Sequence, residues 1–266
     1  SNTGGPYQIY HYQPFTDVSA STSPFGIGDN QLGLEVMGHS KNIYTRYSAS
    51  LLSSNDGNVG LPTGNSYDLF LAASQAFEVG GLGLQRFGGF SYLGQLPTYY
   101  LTSGGAPIPG AGKGFKGYTR NGVYGMFYVK KLDVTAMFTH STESKYLATG
   151  AAADGSVPLP DGARDASWNG ALIEAHYTVN PRWIIVNRYE AIRMSQQSDP
   201  TVPTNLGNVD ALTFGTRYYP FMHSRDGFAL HEEYSILRAR GIFASPTNPF
   251  EDSTTSSVFV GFDFIF

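Results

Sequence analysis

The 266-residue chain has no cysteine and only two tryptophans, and charged residues make up just 14% of it. Without thiols it can form no disulfide, no thiolate metal site and no C-x-x-C-H haem attachment, so any haem would have to arrive on another polypeptide. Long apolar runs are missing as well. Hydrophobic residues reach 41%, and nothing approaches the roughly 18 consecutive apolar residues that a membrane helix requires. A helical membrane protein is thereby excluded. The net charge of −4 offers no basic footprint, which speaks against nucleic acid as a partner. No charged segment followed by an apolar core opens the chain, so Ser1-Asn2-Thr3 reads as a mature terminus after signal removal or as the start of a fragment.

What the chain does have is aromatic residues, at 14%, and 32 glycines. They are organised in a repeated rhythm: two alternating segments joined by a very short turn, then a longer loop rich in Gly, Pro, Ser and Asn. Five such hairpins are legible, 31–39 with 42–52, 67–78 with 82–92, 118–130 with 132–143, 169–179 with 182–193, and 209–219 with 227–238. Their reversals, such as Val79-Gly80-Gly81 and Val179-Asn180-Pro181, carry the residues that supply turn backbone angles. Longer loops fall near 18–30, 54–65, 102–113, 147–166, 196–207 and 243–252. Short turns at one end and long loops at the other are the asymmetry of transmembrane barrels, with the short turns periplasmic and the long loops extracellular.

An N-terminal strand at 7–15 and a C-terminal strand at 255–266 bring the expected count to about twelve, with both termini at the short-turn end. The expectation is therefore a single all-β domain over residues 1–266, a transmembrane antiparallel up-and-down β-barrel. Segments of about ten residues suit a tilted crossing of the hydrocarbon layer. A soluble β-sandwich shares the composition and is the competing architecture, but its strands average about five or six residues.

The last residues alternate so that Val258, Val260, Phe262, Phe264 and Phe266 share one face. This terminal strand resembles that of bacterial outer-membrane porins, in which such alternation ends in Phe as an assembly signal. The resemblance assigns that role to Phe262, Phe264 and Phe266, and implies the bacterial outer membrane as location, with its lipid and the barrel assembly machinery as partners and a homo-oligomer as a further possibility. The stretches 212–220 and 233–235 are similar to penultimate porin strands. Residues 116–125 are similar to barrels of outer-membrane electron conduits, in which a porin sheathes a cytochrome, and that similarity implies a separate cytochrome partner.

Alternation sorts side chains into two sets. On 171–178, Ala171, Ile173, Ala175 and Tyr177 would face lipid, leaving Glu174 and His176 inside; on the next segment Tyr189 and Ala191 go out, with Arg188 and Glu190 in. Extended along the chain, the expected lumen-lining set is Glu35, Arg46, Asp68, Arg120, Glu143, Glu174, His176, Arg188, Glu190, Arg217, His231, Glu233 and Asp263. Seven carboxylates against four arginines predict a mixed, slightly cation-favouring interior in which most members pair across strands. Three residues break the pattern. Glu232 falls on the lipid side, where a bulge near His231 would rescue it; Arg86 has the same problem between Leu84 and Phe90, and Asn187 is a milder case. Trp183, Tyr7, Tyr10, Tyr12, Tyr99, Tyr100, Tyr218 and Tyr219 lie near segment ends, as boundary aromatics do.

Catalytic motifs are absent. Six scattered histidines form no H-x-x-x-H or H-E-x-x-H pair, and only Glu174/His176 and His231/Glu233 have the i, i+2 spacing that shares a strand face. The glycine clusters at 80–83 and 110–114 lack the phosphate-loop form and a following helix. No enzyme activity, metal or cofactor is expected. Two functions compete: a porin-like channel for ions or small polar solutes, narrowed by an inward-folded loop with 147–166 as the candidate, and a structural sheath holding a partner such as a cytochrome.

Overall fold

The computed structural model describes residues 33–53, 67–97, 115–148, 158–222, 227–241 and 251–265. They form one sheet of eleven antiparallel strands in strict sequence order. The strands are β1 (Gly33–His39), β2 (Thr45–Ser53), β3 (Tyr67–Val79), β4 (Gly83–Pro97), β5 (Phe115–Val129), β6 (Leu132–Glu143), β7 (Ala166–Asn180), β8 (Trp183–Gln196), β9 (Val209–Met222), β10 (Gly227–Arg240) and β11 (Asp252–Ile265). One short helix, α1 (Lys145–Ala148), follows β6. All five expected hairpins are present with ends moved by a few residues. The expected strand at 7–15 and its Tyr7, Tyr10 and Tyr12 lie outside the described residues, as do Tyr99, Tyr100 and Phe266.

Connections at one end are two to five residues long and those at the other end are 11 to 22. Two of the tight reversals place non-glycine residues in the left-handed region, Ile43 at φ 62° and Lys130 at φ 58°. For β-branched Ile43 that conformation is unfavourable. Among the described residues β1 pairs only with β2 and β11 only with β10. Because every neighbour is antiparallel, these two edge strands run in the same direction.

The sheet's sidedness is opposite to that of a soluble domain. One face carries exposed large apolar side chains on every strand, among them Leu34, Phe87, Phe138, Ile173, Phe214, Val258 and Phe262. The other face is polar and largely buried, holding Asp68, Arg120, Glu174, Arg188, Glu190 and Arg217 beside Tyr92, Tyr118 and Trp168. Register explains the inheritance of this sidedness. Hydrogen-bonded rows keep one face through successive strands, for example Glu35–Ser50–Phe70–Tyr92–Arg120–Ser141–Trp168–Met194, and a single slip would invert every side chain beyond it.

Three corrections concern the expected misfits. Arg86 stands on the polar face, opposite Ala76 and Met126, where it donates to the Ser74 hydroxyl at 2.8 Å and to the carbonyls of Tyr44 and Ile43. The alternation of β4 had been set one residue out of step, since Phe90 and Tyr92 share the face of Arg86. The bulge in β9–β10 is at Tyr219–Pro220 opposite Ala229, not at His231. Pro220 has no N–H to give the ladder, which suits it to such an irregularity. Glu232 consequently keeps its place on the apolar face, between Thr216 and Val260; Asn187 is also exposed there.

Candidate functional site

Every residue expected on the polar side stands on one face of the sheet, and the register gathers most of them into three clusters. The first joins β3 to β6. Asp68, 1% exposed, accepts from the hydroxyls of Tyr92 at 2.8 Å and Tyr118 at 3.2 Å, and from the backbone N–H of Gln95 at 2.9 Å. Arg120 lies over the Tyr118 ring, 4.8 Å from its centroid, and 3.6 Å from Glu143. The carboxylate therefore has donors from two strands and the guanidinium has both a π-face and a counter-charge, which is how buried charge is tolerated.

The second cluster joins β6, β7 and β8. Arg188 donates to Glu174 at 2.9 Å through Nη1 and to Glu190 through Nε at 3.0 Å and Nη2. All three side chains are at most 3% exposed. His176 reaches Glu174 at 2.9 Å and Asp133 at 3.9 Å, so the expected Glu174/His176 pair exists and gains a second carboxylate. The third cluster joins β9, β10 and β11: Arg217 donates to Asp263 at 2.5 Å and His231 stands 3.4 Å from the same carboxylate. His231 also stacks on Phe259, with ring centroids 5.2 Å apart. Glu233 accepts from the Ser235 hydroxyl.

Two members stand apart. Glu35 accepts from Ser48 on the neighbouring strand, and Arg46 lies exposed on β2. Between the clusters runs an apolar band on the same face, built from Met137, Trp168, Leu172, Ile192, Val209, Ala211, Leu237 and Ala239, with Phe90, Tyr124 and Met194 packed against it. Ile192 and Thr139, facing one another across Gly170, are fully occluded at 0% exposure.

Asp133, Arg86, Tyr92, Tyr118 and Trp168 were not expected at this site. Parity with Glu143 on the same strand was the signal for Asp133. The aromatic members are set by close contacts between β4 and β5, where Tyr118 lies over Gly94, Phe90 over Gly122 and Tyr124 over Gly88. A Cβ at Gly122 would stand 2.5 Å from the Phe90 ring. Glycine opposite an aromatic lets the ring lie down along the sheet, a pairing that also pins register.

The apolar face is bounded at the long-loop end by polar cross-strand pairs. On β4 to β8 these are neutral or histidine pairs: Ser91–Asn121, Thr119–Thr142, His140–Asn169 and Ser167–Ser195, at 2.7–2.9 Å. On β8 to β11 they are ionic: Arg193–Asp210, Arg238–Asp252 and Arg240–Asp252, at 2.5, 2.7 and 3.3 Å. Nearer the short turns, Trp183 donates to Thr216 at 2.6 Å, and Trp183 and Tyr218 are both exposed.

Loop segments at that end are tied laterally. Arg164 donates through its backbone to Ser198 and through Nε to Gln197, and Gln197 donates to the carbonyls of Thr204 and Leu206. Side-chain and backbone hydrogen bonds from Thr201 hold the Asp199 carboxyl below the usual carboxylate range. Residues 158–165 of the expected constriction loop thus join the neighbouring 197–208 segment; residues 149–157 lie outside the described residues. Among the described residues no group of three or more His, Asp or Glu is arranged to hold a metal. No protein-family model matches the chain, and no curated protein matches it either.

Proposed function

We propose that this chain is a transmembrane β-barrel of the bacterial outer membrane that passes ions or small polar solutes. The observation that carries the reading is the inverted sidedness: large apolar side chains exposed along one face, arginines and carboxylates buried on the other. In water the apolar face would be a heavy liability; in lipid it is the expected exterior, and closure of the sheet removes its edges. Strands β3 to β11 are 12 to 15 residues long, about 40–50 Å of extended chain before tilt, which is enough for a tilted crossing of the hydrocarbon layer.

Strand parity supports closure through a further strand. Edge strands β1 and β11 run in the same direction, so an odd number of strands between them gives antiparallel ladders throughout. We assign that further strand to the expected segment 7–15, outside the described residues, which would bring the count to twelve. The absence of native cysteine makes this testable: cysteines scanned along 7–15 against one at Val36 should form disulfides at alternate positions.

With Asp133 and Arg86 added to the expected set, carboxylates on the polar face still outnumber arginines, which favours cations, because a low-dielectric wall focuses the field of its charges. The filled band between β6 and β10 favours small solutes over a bulky folded partner such as a cytochrome. Single-channel recording of the purified protein in a planar bilayer with a KCl gradient tests the reading. Stable openings with a weak cation preference are expected; a folded, inserted barrel without conductance would overturn it in favour of the sheath.

A further inference from the structure

We infer that the outer end of β8–β11, on the apolar side of the sheet, is a binding site for the phosphorylated sugar head group of a glycolipid. The inference rests on the membrane reading above. Alternation leaves Arg193, Asp210, Arg238, Asp252 and Arg240 on the exposed face, and they alternate in sign across four strands. They line a cleft of about 230 Å³ together with Asn205 and Asn208. Three guanidiniums against two carboxylates leave a surplus of positive charge in a cleft whose next row on the same face is Tyr189, Leu212, Ile236 and Ser256, followed by Phe214, Tyr234 and Val258.

The position determines the chemistry. A ladder of this kind on a soluble surface contributes little, since exposed pairs are worth about 0–1 kcal/mol each. At the boundary of a hydrocarbon layer its charges need polar partners, and the same level on β4 to β8 meets that need with neutral pairs of Ser, Thr, Asn and His. Among the described strand pairs at this level only this sector presents arginines, whose planar fork suits phosphate oxygens, beside aspartate and asparagine groups that accept and donate to sugar hydroxyls. Arg193 is committed to the carbonyls of Ile192 and Val209 as well as to Asp210. Arg238, 63% exposed, is placed to take a ligand, and Asp252 competes for it.

The test is retention of diphosphorylated lipid A, of its dephosphorylated form and of inorganic phosphate by the full chain in detergent micelles, read by native mass spectrometry and by the shift in thermal unfolding. Phosphorylated lipid A should bind in preference to both other probes; Arg238→Gln should weaken it at least tenfold, while Asp252→Asn, which removes the competing carboxylate, should strengthen it. Thr142→Ala, at the same level among the neutral pairs, should leave retention unchanged and serves as the folding control. Equal retention of the two lipid forms, or no effect of R238Q in a folded protein, would overturn the site. Stabilisation by inorganic phosphate alone would overturn the lipid as ligand. Failure of the wild type to insert into lipid vesicles would strike the membrane reading itself and is recorded separately.

Discussion

The polar face divides into two regions of different character. From β3 to β9 its charged side chains include buried, paired groups: Asp68 has three donors, Arg188 has two carboxylates, and Trp168 and Ile192 fill the space between. On β1, β2 and β11 the same face holds Glu35, Arg46 and Asp263 at the surface or half-buried. The same residue types thus do different things. Where the facing side chains are packed together, as on β7 and β8, a charged side chain is desolvated and must be paired, so its loss is a folding event; where it stays exposed, as Glu35 and Arg46 do, it keeps its water and acts mainly through its field.

The largest expected effect is therefore Arg188→Met. It leaves Glu174 and Glu190 buried without their common partner and should cost about 3–5 kcal/mol of unfolding free energy in denaturant titrations of the refolded protein. Arg46→Gln in the open region should stay within about 0.5 kcal/mol. Equal losses for the two would dissolve the distinction. Asp68→Asn comes next, at about 1–3 kcal/mol, because an amide cannot accept from two tyrosine hydroxyls and a backbone N–H as a carboxylate does. A smaller change of opposite sign is expected at the short-turn end. Ile43→Asn relieves a left-handed β-branched residue and should raise stability by about 1 kcal/mol, seen as a higher denaturant midpoint with an unchanged slope. Glu35→Gln should leave the midpoint within about 0.5 kcal/mol while shifting the reversal potential in a KCl gradient toward lower cation preference; a stability loss without a shift would assign Glu35 to the packed region.

The face of each charged residue was legible wherever alternation ran unbroken, as on β7 and β8, where Glu174, His176, Arg188 and Glu190 fell on the expected side. It failed on β4. There Gly88, Gly89 and Gly94 interrupt the apolar pattern, and Arg86 was set against Leu84 and Phe90 although Phe90 lies with it on the polar face. The signal for the correct phase is the aromatic complement on β5, which cannot be read from β4 alone. Partners were less legible than faces. Asp68 meets Tyr92 and Tyr118 from 24 and 50 residues away, a consequence of register across three strands. The ionic ladder on β8–β11 was likewise hidden, because local alternation marks Arg193, Asp210 and Arg238 only as isolated polar residues near strand ends.

The sequence by itself determined the five hairpins and the terminal strand, their order and, except on β4, the polarity of the two faces. These depend on period-two alternation and on short reversals, which are local properties of the chain. Only the tertiary structure decided which charges are buried pairs and which remain at the edge, where the bulge opposite Ala229 falls, and that arginines and aspartates from four strands meet in one cleft. Those outcomes depend on register between strands, a cooperative property of the whole sheet, and each follows from contacts between residues that the sequence keeps far apart.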